Sequence, residues 1–262
     1  MDKIKIAKNF SRAAKNYDKL AIIQKSAAKK LITLTSPFIK TDSQILDLGS
    51  GTGFIAKQIL KQVRHNEARS TKHEAQIKIS ETDLSLEMLN SWHNRPSNIT
   101  PIQADIENLP FKLDSFDIIF SSFSLQWLCD FKKNFRNFSS LLKSKGILAF
   151  CLPLDGSLKE LRAAKIFHFN QLPQKKQIEL SLKNSGFKKE KTVAEITTQK
   201  FSTGYEALKF LKEIGANYSS SSKPITKTRL KHFDNFCLKN SSHKNSFAIS
   251  WNIAYFIYSK ND

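Results

Sequence analysis

Glycine is scarce in this chain, with 8 among 262 residues. Cysteine is scarcer still. Cys129, Cys151 and Cys237 lie too far apart for zinc-ligand spacing, and an odd number argues against a disulfide framework. A reducing, cytoplasmic setting is therefore expected. No apolar run is long enough for a bilayer: the uncharged stretch Ser246–Ser259 is too short and carries Asn252 and several serines. The opening residues, Met1 to Ile6, hold no apolar core and no small-residue cleavage site, so a secretory signal is not expected. Acidic residues are in short supply, 23 against 42 Lys plus Arg, giving a formal charge of +19. That excess fits an acidic partner or a compositional drift toward lysine, and it forms no arginine-rich arm or basic tail. The six histidines show no ligand spacing, and no metal is expected. With 40% hydrophobic and 25% charged residues, collagen-like, low-complexity and mostly disordered chains are excluded.

What is present alternates. Residues 2–14 read as a short helix. Asp18 can cap a second, with Leu20, Ile23, Ala27, Leu31 and Leu34 on one face until Pro37. Strands are expected over 44–48, 77–82, 99–103, 116–121 and 147–152. Helices are expected over 54–62 and 84–92, and on a face from Phe131 to Leu142 that Gly146 ends. Residues 61–76 are polar and basic and read as a surface bulge. This alternation points to an α/β fold with a doubly wound parallel sheet. Helical stretches near 157–168, 174–184 and 204–214 follow, with strands near 187–197 and 246–258 that suit an antiparallel edge. Ser219–Ser222 with Lys223-Pro224 reads as a flexible linker.

Three of the eight glycines fall in Asp47-Leu48-Gly49-Ser50-Gly51-Thr52-Gly53, between the first strand and a helix. Glycines there let the backbone turn tightly and approach a ligand, with helix N–H groups facing it. The dinucleotide fingerprint G-x-G-x-x-G is not met, because the third glycine comes one residue early. With no pyrophosphate to cradle, Asp47 can help hold an ammonium group. Asp83 after the second strand can accept from ribose hydroxyls, and Asp105 after the third from an adenine amino group. Either aspartate alone can also be a helix N-cap. Acids at the ends of three successive strands point instead to the ligand edge of an open sheet. Gln126 and Trp127 follow the fourth strand; Trp127 and Trp251 also read as core.

These residues, with the runs Asp83-Leu84-Ser85-Leu86-Glu87-Met88-Leu89, Asp105-Ile106-Glu107-Asn108-Leu109-Pro110-Phe111 and Asp114-Ser115-Phe116-Asp117-Ile118-Ile119, resemble the class I S-adenosylmethionine-dependent methyltransferases. The flanking segments Phe10 to Asp18, Leu125-Gln126-Trp127, Gly156 to Leu161 and Leu208 to Ala216 resemble the malonyl-acyl-carrier-protein O-methyltransferases of biotin synthesis. The resemblance runs from about residue 8 to the end. It implies a mostly parallel seven-stranded sheet in one domain: a helical lid over 1–36, a cofactor-binding core over 37–153, and substrate-side helices and edge strands over 154–262, with a helical insert before the last strand. It implies S-adenosylmethionine held by Asp47, Gly49, Ser50, Gly51, Gly53, Asp83, Leu84, Met88, Asp105, Ile106 and Ser121. Tyr17, with Arg12, would close the lid, and Tyr17, Gln126 and Trp127 would orient the substrate without a general base.

The implied partner is an acidic acyl carrier protein bearing a malonyl thioester, or malonyl-coenzyme A, met by Lys209, Lys212, Lys227 and Lys231. Nucleic acid and membrane are not expected as partners, and a monomer is expected. The chain departs from the pattern at Ser50, where cysteine is common, and at Ser122, where asparagine is frequent. The 36 residues from Asp47 to Asp83 are roughly twice the usual gap of about 20. Residues 61–76 account for the excess. Competing readings are a methyltransferase for a quinone precursor or small acid, an RNA methyltransferase, and a non-catalytic assembly factor. The subfamily segments argue against the first. The second would need an RNA-binding module or a base-flipping motif, and neither is seen. The intact glycine and acidic motifs argue against the third.

Overall fold

The parallel core is built from β1 (Gln44–Leu48), β2 (Lys78–Asp83), β3 (Ile99–Gln103), β4 (Phe116–Ser122) and β5 (Leu142–Pro153). With β6 (Phe187–Phe201) and β7 (Phe247–Lys260) they form one sheet in the order β3-β2-β1-β4-β5-β7-β6. β7 runs antiparallel to both β5 and β6. This computed structural model describes residues 2–67, 76–163, 170–216, 226–239 and 246–262. The helices are α1 (Lys3–Leu20), α2 (Ile22–Thr35), α3 (Phe54–Glu67), α4 (Leu86–Asn90), α5 (Phe131–Leu141), α6 (Lys159–Ala163), α7 (Lys175–Lys183), α8 (Gly204–Glu213) and α9 (Lys227–Lys239).

Alternation along each strand divides the apolar residues between two faces. Ile45, Ile79, Ile118 and Ile147 pack with Ala27, Leu31 and Ile32 of α2 and with Ile55 and Ile59 of α3. Leu46, Leu48, Ile119 and Leu148 pack with Phe135 and Phe138 of α5 and with Ile178 and Leu182 of α7. Burial on both faces is why β4 and the second half of β5 carry nearly continuous apolar runs. Phe150 of β5 stacks on Phe256 of β7 at 4.8 Å, tying the parallel and antiparallel parts together. β1 pairs with β2 on one side and β4 on the other. The order reverses there, so a ligand crevice opens at the carboxyl end of β1.

Several local expectations are corrected. The first helix runs to Leu20, because nothing between Asp2 and Leu20 breaks it. Asp18 therefore lies inside α1 and is not the cap of α2; the break is a single residue, Ala21, with ψ 48°. Gly146 does not end α5. The chain passes straight into β5 at Leu142, and Lys145, not Gly146, takes the positive φ. The helix expected over 84–92 is the shorter α4, capped by Ser85, whose hydroxyl accepts from the Met88 N–H. β6 reaches Phe201, four residues beyond the expected end, and α9 belongs to an insert in which only α8 was read. Most of the 61–76 bulge, the end of the 157–168 helix and the 219–224 linker lie outside the described residues.

Candidate cofactor and substrate site

The glycine turn after β1 has positive φ at Gly49 (65°) and Gly51 (58°), a region L-residues avoid. A Cβ on Gly49 would stand 2.2 Å from Ser124 Oγ, so the turn must pass hard against the β4 loop. A Cβ on Gly51 would meet nothing within 4 Å, because Gly51 faces open space. That space is a cavity with an empty volume of about 760 Å³, its open mouth included. Gly49, Gly51, Asp83, Leu84, Met88, Asp105 and Ile106 line it together with Ser122, Phe123 and Ser124.

Asp83 is set by backbone donors. Its carboxylate accepts from Gly51 N–H at 3.0 Å and from Ser85 N–H at 2.8 Å. Burial outweighs these donors and pushes its pKa up to about 6. Two donors leave lone pairs on the carboxylate for a ligand. Asp105 sits two residues beyond β3, in a turn where it accepts from the Glu107 N–H at 3.0 Å. Its other oxygen takes Lys3 Nζ at 2.6 Å, and Lys3 also pairs with Glu107.

Lys3 belongs to α1, which roofs the cavity with Lys3, Ile6, Ala7, Phe10 and Tyr17. Ser11 fastens the same helix by donating to Glu87 at 2.5 Å, and Thr52 donates to Asp18 at 2.8 Å. Burial, then the charges of Asp83 and Asp18, raise the pKa of Tyr17 far above its ordinary value, so its hydroxyl stays protonated.

A second cavity, of about 710 Å³ counted the same way, adjoins the first. Phe10, Tyr17, Phe123 and Trp127 line both. Phe10 meets Trp127 edge-on at 6.2 Å and Tyr17 at 6.4 Å. Phe123 holds this wall in a strained φ of 55°, unusual for a bulky residue. Gln126 donates to the Phe123 carbonyl at 2.7 Å. Ile214 and Ala216, at the end of α8, close the far side, and Gly215 abuts the Phe10 ring.

A family model described as a methyltransferase domain matches residues 39–200. A malonyl-[acyl-carrier protein] O-methyltransferase of Buchnera aphidicola is 32% identical over 240 residues, 88% of this chain and 89% of that protein. The chain belongs to this family. Malonyl-[acyl-carrier protein] O-methyltransferase 2 of Ilyobacter polytropus is 30% identical, covering 100% of this chain and 99% of its own. Among solved structures, the YcgJ protein of Bacillus subtilis matches with a TM-score of 0.61 at 14% identity, over 89% of this chain and 99% of that one. The phosphoethanolamine N-methyltransferase 2 of Haemonchus contortus, solved with S-adenosylhomocysteine, matches with 0.52 at 19%, over 89% of this chain and 53% of that one. These two show a shared fold.

In this methyltransferase some expected residues do not reach either cavity. Asp47 is 1% exposed behind the glycine turn, in register with Glu81 on β2, and neither of its oxygens has a partner among the described residues. Burial, then Glu81 and Asp83, raise its pKa well above the ordinary value. The Ser50 hydroxyl is buried, and Gly53 packs under Trp92 and Glu81. Ser121 is sealed in the sheet, donating to the Leu48 carbonyl at 2.9 Å; alternation turns its neighbour Ser122 to the cavity instead. Arg12 is exposed and lines neither cavity. Lys209, Lys212 and Lys231 point to solvent, and the Lys227 side chain lies outside what is described. His93 and His232 are exposed. Among the described residues no His, Cys, Asp and Glu group is placed for a metal, and no helix is long and apolar enough to cross a membrane. Residue reading missed Lys3, Ile6, Ala7 and Phe123, which carry no motif and come to the site only through packing.

Proposed function

We propose that this enzyme esterifies the free carboxylate of a malonyl thioester, carried by an acidic acyl carrier protein or by coenzyme A, to make the methyl ester that primes biotin synthesis. The observation that carries this reading is the pair of adjoining cavities behind one aromatic wall, in a chain similar over its whole length to malonyl-[acyl-carrier protein] O-methyltransferases.

S-adenosylmethionine fits the first cavity. Gly51 leaves room for close approach, Asp83 keeps lone pairs for ribose hydroxyls, and Leu84, Met88 and Ile106 supply apolar surface for a purine. When bound, it supplies a methyl group on a positively charged sulfonium. The rest falls to the chain. A carboxylate of pKa about 3.5–4 is ionised at pH 7, so no side chain has to remove a proton. Tyr17 can donate a hydrogen bond but cannot act as a base, which matches that need. α1 keeps water from the wall through Ile6, Ala7 and Phe10, and a dry, aligned carboxylate has lost the hydration that would blunt it.

The test is direct. Purified enzyme with S-adenosylmethionine and malonyl-carrier should yield the carrier heavier by one methylene and an equal amount of S-adenosylhomocysteine. It should also rescue a biotin auxotroph lacking this step. Tight S-adenosylhomocysteine binding with no methylation of any malonyl thioester would overturn the substrate assignment. We read the enzyme as a cytoplasmic monomer.

A further inference from the structure

The second cavity holds a cation that the motifs did not single out. Arg162 lies on α6, a single turn after β5, and it is the one charged residue among the described residues lining this cavity. Its Nη2 donates to the Asn170 carbonyl at 2.6 Å and its Nε to the Ser157 carbonyl at 3.4 Å. Both of these acceptors are neutral backbone carbonyls. Burial, only partly offset by Asp155, lowers the pKa of Arg162 from its ordinary value, as expected for a cation short of water.

On the same cavity stands Trp251 of β7, 3% exposed, whose indole N–H is buried with no hydrogen-bond partner among the described residues. An indole N–H can only donate, and a buried donor left alone is costly. The other unpartnered polar atoms here include Gln24 Oε1 and Gln126 Oε1, which are acceptors and would repel an anion. Asn170 Nδ2, on the same lining, is a further buried donor without a partner among the described residues.

We propose that Arg162 and the Trp251 indole N–H form the carboxylate-binding subsite of this cavity and select a carboxylate-bearing acyl group over a neutral one. This assignment rests on the reading of the acceptor as a malonyl thioester. A planar guanidinium matches a carboxylate in both shape and charge. One carboxylate oxygen can take these donors while the other faces the aromatic wall shared with the cofactor cavity. The acyl chain and thioester then run past Gln24 and Gln126.

The experiment is calorimetry with malonyl-coenzyme A and acetyl-coenzyme A, each with S-adenosylhomocysteine present, on wild type, Arg162→Met, Arg162→Lys and Trp251→Phe. Wild type should prefer malonyl-coenzyme A by about ten- to a hundredfold, the range of a charge-assisted hydrogen bond. Arg162→Met should reduce that preference to near one. Arg162→Lys should restore part of it, and Trp251→Phe should lower it several-fold. Affinity for S-adenosylhomocysteine should be unchanged throughout. Full preference in Arg162→Met overturns the subsite. If that variant does not fold, full preference in both Arg162→Lys and Trp251→Phe does the same. A wild type that methylates malonyl thioesters while Arg162→Met keeps its preference loses only this assignment. A wild type that neither prefers nor methylates them loses the proposed substrate as well.

Discussion

In the first cavity Asp83 accepts from two backbone N–H groups and Asp105 is held by Lys3. In the second, the Trp251 N–H and the Gln24 and Gln126 oxygens have no partners among the described residues. On the proposed reading, the cofactor side is wired in advance by its own backbone, and the substrate side leaves polar atoms for a ligand to complete. The difference suits the two tasks. One ligand has fixed chemistry and can be met by a rigid turn. The other must be told from close analogues, and unsatisfied buried groups penalise the wrong one.

The largest expected effect separates two glycines of the rigid turn. Gly49→Ala adds a clash with Ser124 to the strain of a positive φ, and should cost about 3 kcal/mol of stability. Gly51→Ala carries only the strain, about 1–2 kcal/mol, but places a methyl in the cavity. Denaturant melts should therefore find Gly49→Ala the less stable, while calorimetry finds Gly51→Ala folded and at least about tenfold weaker for S-adenosylmethionine. Equal stability losses would mean that the Ser124 contact relaxes freely.

Next in size is Asp83→Ala, which removes the acceptor proposed for the ribose hydroxyls. S-adenosylmethionine affinity should fall about ten- to a hundredfold, or roughly 1.5–3 kcal/mol, with a smaller change in melting temperature. Calorimetry showing unchanged affinity in a folded variant would remove Asp83 from the site.

The places of these three residues on the first cavity were legible in the sequence because they are local. A tight turn needs glycine at fixed offsets, and a strand end needs its acid next to it, so Gly49, Gly51 and Asp83 stand out from the chain alone. Asp47 and Ser121 were misplaced because one residue along a strand changes the face, and a motif does not say which face is dry. The second cavity was legible only in part, at Tyr17, Gln126 and Trp127, for a different reason. Phe10, Gln24, Phe123, Arg162 and Trp251 come from α1, α2, the loop after β4, α6 and β7, and no spacing links them. Gly146 misled because glycine commonly ends helices, whereas here an extended Leu142 ends α5.

A pH series sharpens the comparison. The pKa of Asp83 is raised from 3.8 to about 6 in the folded protein. A raised acid binds its proton more tightly when folded, so its stabilising contribution is complete below pH about 4 and is lost as pH rises toward 6. A ligand whose hydroxyls donate to the carboxylate has the opposite preference: its affinity should rise with pH and level off above 6. Melting temperature and S-adenosylhomocysteine affinity should therefore slope in opposite directions between about pH 4 and 6. Asp83→Asn should flatten the affinity slope. Asp47 and Glu81, also raised by burial, should keep part of the stability slope. Parallel slopes in the wild type would mean that the ligand does not bind the ionised carboxylate.

The smallest effect concerns the outer surface of the substrate side. Lys209 and Lys212 are exposed on α8, whose buried face holds Ala207, Phe210 and Leu211, and whose end closes the second cavity. Lys231 is exposed on the neighbouring α9. Lys209 has a partner in Glu213 at 3.8 Å, a surface pair worth at most about 1 kcal/mol, so it remains available to an acidic carrier. Exposed charges act over about 8–10 Å at physiological salt, and they speed encounter more than they tighten the final contact. Charge reversal at Lys209 and Lys212 together should therefore raise the KM for malonyl-carrier a few-fold, with kcat and cofactor affinity unchanged. Raising salt should have the same effect on the wild type and less effect on the double variant. Malonyl-coenzyme A presents fewer charges and should respond less to either change. If both substrates lose activity alike with salt, the +19 charge is compositional, and the carrier is recognised only through the group it delivers to the second cavity.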